Sequence, residues 1–368
     1  MSGADVATDY VPALLTDEVE EDLRAAVRDL LSHRTDHATI IGGYDGAPQP
    51  DLWPEMAQLG LAGLLIAEEH GGAGATPAVA AVVLEELGAL PARTPMLTSA
   101  IIAATTLTVA ADTEYLPGLA DGSVVAAVAV PFSTSSYDAC ATVGGDGDRL
   151  SGRVVSVAGT ESATIYLVPG ADGALYVVDA TDVVVTATPS LDMTRPVADV
   201  VLENAPGRRV TDDAAGALRA GLTAGAALLA SEQAGIARWC VTETVGYLQQ
   251  RRQFGRIVGG FQAVKHRLAD LYADAEQASA IARAAAVTLA DRGVDADESA
   301  LTTAVAAAYC GDLAVRAAEE AVQLHGGIGM TWEHPAHLYL KRAKADQIAL
   351  GTPGRHRAAL ADLADLPA

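Results

Sequence analysis

The 368-residue sequence predicts a mostly α-helical protein with a central β-domain. Three observations carry that expectation. Apolar residues recur at three-to-four spacing through the first and last parts of the chain, the period of a helix with one buried face. Between them lie short Val-rich runs broken by Gly, Asp and Pro, the pattern of strands and turns. Half of the residues are apolar and only 4% are aromatic, so the core must be mostly Ala, Val and Leu, and the Ala-rich stretches favour helix. The expected division is an N-terminal helical domain over 1–122, a β-domain over 123–210 and a C-terminal helical bundle over 211–368. This order lacks the regular βαβ alternation of a doubly wound nucleotide-binding sheet.

Residues 17–32 alternate charged and apolar side chains at helical spacing. Residues 79–90 put apolar groups on one face and Glu85 and Glu86 on the other, with Gly88 and Pro95 read as helix stops. The texture changes at Gly122. The runs VVAAVAVP, RVVSV, TIYLVP, ALYVVDA, VVVTAT and ADVVLE read as strands of a small antiparallel domain, with hairpin turns at 145–148 and 170–173. From about Asp212 the helical period returns over 214–250, 262–292, 297–324 and 335–349. Four helices on short loops pack as a bundle.

The formal charge of −23 repels phosphate backbones and anionic membrane surfaces, so neither nucleic acid nor a membrane surface is an expected partner. Cys140, Cys240 and Cys310 are odd in number and widely spaced, which fits a reducing cytoplasm and offers no disulfide framework. The first residues are acidic and lack a basic n-region, which argues against a signal peptide. No uninterrupted apolar run reaches the length of a membrane span.

Three glycine clusters stand out. His70-Gly71-Gly72-Ala73-Gly74 reads as an interhelical loop and is no P-loop, since no Gly-Lys-Ser/Thr follows. His325-Gly326-Gly327-Ile328-Gly329 follows a long helix and serves as a C-cap. Arg251-Arg252-Gln253-Phe254-Gly255-Arg256 joins two long helices, and three arginines in so acidic a chain point to an anion site or to a solvated turn. His334 and His337 are spaced for a shared ligand, but Pro335 interrupts the helix and the sequence offers no third partner, so no metal site is expected. Cys240, on an apolar helix, reads as core.

Taken together the motifs resemble one family. Leu52-Trp53-Pro54-Glu55 through Gly60-Leu61 to Glu68, Gly71 and Gly72 is similar to the N-terminal signature of acyl-CoA dehydrogenases. So are Leu191-Asp192-Met193-Thr194-Arg195, then Arg251-Arg252-Gln253-Phe254-Gly255 with Phe261-Gln262-Ala263-Val264, then Gln323-Leu324-His325-Gly326-Gly327-Ile328-Gly329, in the family's order and over nearly the whole chain. The resemblance implies the acyl-CoA dehydrogenase fold of helical domain, β-barrel-like domain and four-helix bundle. It also implies α,β-dehydrogenation of an acyl-CoA thioester with FAD. A carboxylate in an apolar pocket takes the α-proton, its pKa raised by desolvation.

The chain departs from that pattern where the chemistry sits. Leu350 stands where the family's usual glutamate belongs, and the alternative position carries Gly225, followed by Ala226; none of these takes a proton, so no catalytic residue is expected. Val130-Pro131-Phe132-Ser133-Thr134-Ser135-Ser136 replaces Thr-Glu-Pro with Gly-Ser-Asp, and Ser156-Val157-Ala158 replaces the Trp-Ile-Thr that packs on the flavin. In contrast Arg251, Phe254, Gln262, Gln323, Gly326 and Gly327 resemble the residues that family members lend across a dimer interface to the pyrophosphate and adenosine end of a neighbour's FAD. Thr352 matches a further FAD contact. The resemblance thus implies the base-lacking subunit of a heteromeric, α2β2 enzyme, similar to those of actinobacteria that act on steroid side-chain CoA thioesters. A second, glutamate-bearing subunit would be its partner, and an electron-transfer flavoprotein the type of electron acceptor. Two alternatives stay open: a self-sufficient homo-oligomer whose base has moved to Glu232 or Glu243, and a non-enzymatic acyl-CoA-binding or scaffold protein.

Overall fold

The computed structural model describes residues 13–138, 140, 143–294 and 296–364. Its first helix, α1 (Glu18–Arg34), starts at a reciprocal cap: Asp17 accepts the Glu20 N–H and Glu20 accepts the Asp17 N–H. Then come α2 (His37–Tyr44), capped by Asp36, α3 (Trp53–Gln58) and α4 (Pro77–Ala89). A wide π-helical stretch, Met96–Ala103, runs directly into α5 (Ala104–Val109), followed by α6 (Leu116–Ala120).

Among the described residues the β-domain has eight strands: β1 (Ala126–Val128), β2 (Gly144–Asp146), β3 (Arg149–Ala158), β4 (Ile165–Pro169), β5 (Leu175–Asp179), β6 (Val183–Ala187), β7 (Val197–Pro206) and β8 (Arg208–Thr211). They form two four-stranded sheets, ordered β1-β4-β5-β8 and β2-β3-β7-β6. The two predicted turns join β2 to β3 and β4 to β5, with Gly147 and Gly173 at positive φ. The antiparallel expectation fails at one pair. β1 runs parallel to β4, Ala126 opposite Ile165, because the chain passes through the other sheet between them and returns in the same direction.

The C-terminal helices are α7 (Ala214–Gln250), α8 (Gln262–Arg292), α9 (Asp297–His325), α10 (Ala336–Ile348) and α11 (Pro353–Leu363), with a two-residue-stranded hairpin, β9 (Arg252–Gln253) and β10 (Arg256–Ile257), between α7 and α8. The first four helices fall where periodicity put them. The fifth, α11, was not expected from the pattern; Thr352 caps it and Pro353 opens it. α7 is the axis of the molecule. It is long and apolar enough by length and composition to cross a membrane, but 83% of its apolar window is buried inside the protein. Gly88 is no helix stop. A Cβ there would lie 2.0 Å from the Glu232 carbonyl oxygen, and one at Gly235 would lie 2.1 Å from that of Glu85, so paired glycines let α4 and α7 cross in contact.

Candidate functional site

Gly225 is buried in the middle of α7. A Cβ at this position would meet Ile102 Cγ1 at 2.7 Å and Leu350 Cδ1 at 3.1 Å. The fold therefore brings together the two positions, 125 residues apart in the numbering, where the sequence comparison sought a base, and packs them as hydrocarbon. Leu350 is only 2% exposed and holds a φ of 55°, a backbone region that a leucine adopts only under constraint. The constraint is visible. The Leu350 N–H donates to the Phe132 carbonyl at 2.8 Å, and the Phe132 N–H donates to the Ser156 carbonyl at 2.9 Å. The backbone of Phe132 thus stitches the altered end of β3 to the connection between α10 and α11, and the Arg195 guanidinium covers its ring at 5.8 Å.

The seam continues along both chains. A Cβ at Gly351 would stand 2.8 Å from Ser135 Cβ, the Tyr137 ring meets His356 edge-on at 5.6 Å, and Asp138 takes hydrogen bonds from both Ser135 Oγ and Arg355 Nε. Residues 132–138 and 350–356 are zipped together. His356 is a residue sequence reasoning missed. It is buried, neither ring nitrogen makes a well-formed hydrogen bond among the described residues, and burial pushes it down to about 4, too weakly basic to take an α-proton. Beside the seam lies a cavity of about 640 Å³ lined by Tyr137, Asp138, Cys140, Leu218, Arg219 and Leu222, whose carboxylate is already held by Arg355.

The acids weighed as relocated bases lie elsewhere. Glu232 is fully buried, with Oε2 2.6 Å from Arg195 Nη2 and Oε1 2.7 Å from Arg342 Nε. Burial opposes its ionisation, but the two guanidiniums outweigh that and hold its carboxyl below the usual range. Arg342 also binds Asp192, and Arg195 binds Asp346. Asp192 and Arg195 belong to the Leu-Asp-Met-Thr-Arg motif, which therefore builds a buried ionic cage between the β-domain and α7 and α10. Glu243 lies farther along α7, about 27 Å from Gly225 at ~1.5 Å per residue.

The residues matched to a donated flavin half-site share one end of the bundle. Tyr247 ties it together: its carbonyl accepts the Arg251 N–H at 2.9 Å, its hydroxyl donates to the His325 carbonyl at 3.4 Å, and its ring stacks on His325 at 4.5 Å. Arg251 is exposed and its guanidinium meets no protein group among the described residues. Phe254, at the turn of the β9–β10 hairpin with a φ of 52°, is 90% exposed. Gln262, at the start of α8, and Gln323, near the end of α9, are exposed as well. Gly326 has a φ of 66°, which accounts for a glycine there. Gly327 has neither a positive φ nor any atom within 4 Å of an added Cβ, so nothing in this chain demands its glycine. Thr352 stands apart from this rim; its hydroxyl caps α11 by accepting the Arg355 N–H at 3.2 Å.

Comparison with known proteins agrees with this architecture. Residues 17–123 match the family described as acyl-CoA dehydrogenase, N-terminal domain, and residues 215–364 match acyl-CoA dehydrogenase, C-terminal domain. The acyl-CoA dehydrogenase IpdE2 of Mycolicibacterium smegmatis is 37% identical over 317 residues, covering 84% of this chain and 86% of that protein. A solved variant of the Tcur3481-Tcur3483 steroid ACAD is 29% identical with a TM-score of 0.82, over 95% of this chain and 98% of the other. The ChsE4-ChsE5 complex of Mycobacterium tuberculosis is 27% identical with a TM-score of 0.82, over 97% of this chain and 100% of its counterpart. On its sequence and its fold together, the chain belongs to the acyl-CoA dehydrogenase family.

Proposed function

We propose that this chain is the base-lacking subunit of a heteromeric, FAD-dependent acyl-CoA dehydrogenase. One observation carries the reading: the two family base positions, Gly225 and Leu350, pack against each other as hydrocarbon, while Arg251, Phe254, Gln262, Gln323, Gly326 and Gly327 stand exposed at the other site. The second site suits FAD better than the first. At the first, the family's flavin-contacting motifs are replaced by residues that include Phe132 and Ser156, whose backbones bond to each other and, through Phe132, to Leu350. At the second, the free guanidinium of Arg251 suits a pyrophosphate, and the glycine at 327 leaves open the space a ligand backbone contact requires.

In this reading a partner subunit carries the glutamate and the walls of the flavin ring, and this chain clamps the nucleotide tail. When bound, FAD accepts the hydride from the substrate Cβ. This chain's own residues bind and orient its distal end, and no proton passes through them. One similar structure named as a steroid ACAD and another named as a ChsE4-ChsE5 complex support a steroid CoA thioester as substrate and a non-identical partner. An electron-transfer flavoprotein is the type of acceptor. The three unpaired cysteines suit a cytoplasmic setting.

Flavin stoichiometry tests the proposal. Co-expression with the cognate subunit should give one FAD per two chains, and the chain alone should be colourless and inactive with acyl-CoA. A yellow, active homo-oligomer would establish the self-sufficient alternative. Absence of FAD from every co-purified complex would establish the scaffold alternative.

A further inference from the structure

A second site lies behind the exposed rim. The ligand-type atoms of Glu243, His325 and His334 all fall within 4.8 Å of one another. They come from three separate segments: the last third of α7, the end of α9 and the turn before α10. The spacing His334 to His337 suggested a pair by sequence; the fold instead pairs His334 with His325, rings 4.1 Å apart.

His325 is set up as a ligand. It is 3% exposed, and its Nδ1 lies 2.7 Å from the Ala321 carbonyl oxygen one turn back. A carbonyl only accepts, so Nδ1 carries the proton and Nε2 presents a lone pair. That Nε2 is buried with no hydrogen-bond partner, a costly state for a nitrogen unless something fills it. A backbone carbonyl orienting the far ring nitrogen is also how metal-bound histidines are held. His334 is half-buried beside it. Its Nδ1 accepts the Ala336 N–H at 3.2 Å. Ligation through Nε2 moves the ring proton to Nδ1 and gives up that long bond. Glu243 adds an exposed carboxylate oxygen at the mouth.

We propose that Glu243, His325 and His334 form a binding site for a divalent transition metal, zinc by ligand type, with water in the fourth position. Two imidazoles and one carboxylate suit zinc better than magnesium or calcium, which prefer oxygen throughout. Tetrahedral zinc needs ligand atoms about 3.3 Å apart at its usual bond lengths, so the three side chains close by at most about 1.5 Å on binding. The metal would cross-link α7, α9 and the turn before α10 one residue before Gly326, and so brace the glycine pair. The site stands whether or not the flavin proposal does.

The test uses the untagged full-length chain, stripped with chelator and dialysed against Zn²⁺, with metal and protein counted separately. One zinc per chain is expected, and Co²⁺ in its place should give the visible bands of a tetrahedral site. Glu243→Gln and His334→Ala, both outside the deep core and checked for folding by circular dichroism, should each weaken zinc by at least the roughly tenfold that even outer partners of a metal cost. His33→Ala, on the exposed surface of α1, should leave binding unchanged. No zinc retained by the native chain, or affinity within tenfold of native in both site variants, overturns the proposal.

Discussion

A side chain grown on Gly225 would touch Leu350 at 3.1 Å. These are the two positions at which the sequence reading sought a carboxylate, and here they meet as hydrocarbon. Leu350→Ala should therefore separate stability from catalysis. Removing a buried leucine costs about 2–5 kcal/mol, read as a lower urea midpoint of this chain. In the co-expressed complex, kcat should stay within about twofold, because this residue takes no proton.

Arg251→Ala acts in the opposite sense. The residue is exposed and unpaired, so the chain's own stability should not change. A charge-assisted bond to a shielded pyrophosphate is worth about 1.5–3 kcal/mol, which is roughly 10–100-fold in affinity. Flavin titration of the apo-complex should show a loss of that size. Unchanged affinity would remove Arg251 from the cofactor site.

Gly327→Ala is a sharper version of the same test. The added methyl meets nothing among the described residues and the backbone is not left-handed, so folding should be indifferent. If a cofactor backbone approaches here, the same methyl should lower flavin retention by the complex at gel filtration. Normal retention would mean that the open space at Gly327 is only open space.

The buried cage predicts a pH dependence. It holds two guanidiniums, Arg195 and Arg342, and three carboxyls, Asp192, Glu232 and Asp346. One proton makes it neutral. Asp346 keeps it: burial, then repulsion from Glu232, raises its pKa to about 8, and its Oδ2 has no hydrogen bond among the described residues, only Arg342 Nε at 3.7 Å. The folded chain holds this proton while the unfolded chain releases it above about pH 4. The contribution to stability is therefore complete below about pH 4 and erodes as pH rises toward about 8. Asp346→Asn should flatten that slope in urea midpoints measured across this range. Glu232→Ala, which removes the carboxylate shared by both guanidiniums but leaves Asp192 and Asp346 to balance them, should cost less than the roughly 3–5 kcal/mol of an uncompensated buried charge.

What the sequence determined by itself is local or periodic. The long helices and the two hairpin turns follow from residue spacing within one or two turns, and such signals survive without knowledge of the rest, whereas the grouping of Arg251 with Gly327 came from resemblance to a family. Tertiary structure decided everything that joins distant segments. It made Gly88 a contact against α7 and no stop, ran β1 parallel to β4, put Asp192 and Arg195 into one cage with Glu232, and removed Glu232 from the list of bases by surrounding it with cations. It also set His325 beside His334 and closed Gly225 onto Leu350. The reason is physical. Whether a carboxylate is a base or a brace, and whether a glycine is a hinge or a contact, depends on the atoms packed around it, and those come from parts of the chain that no spacing rule connects.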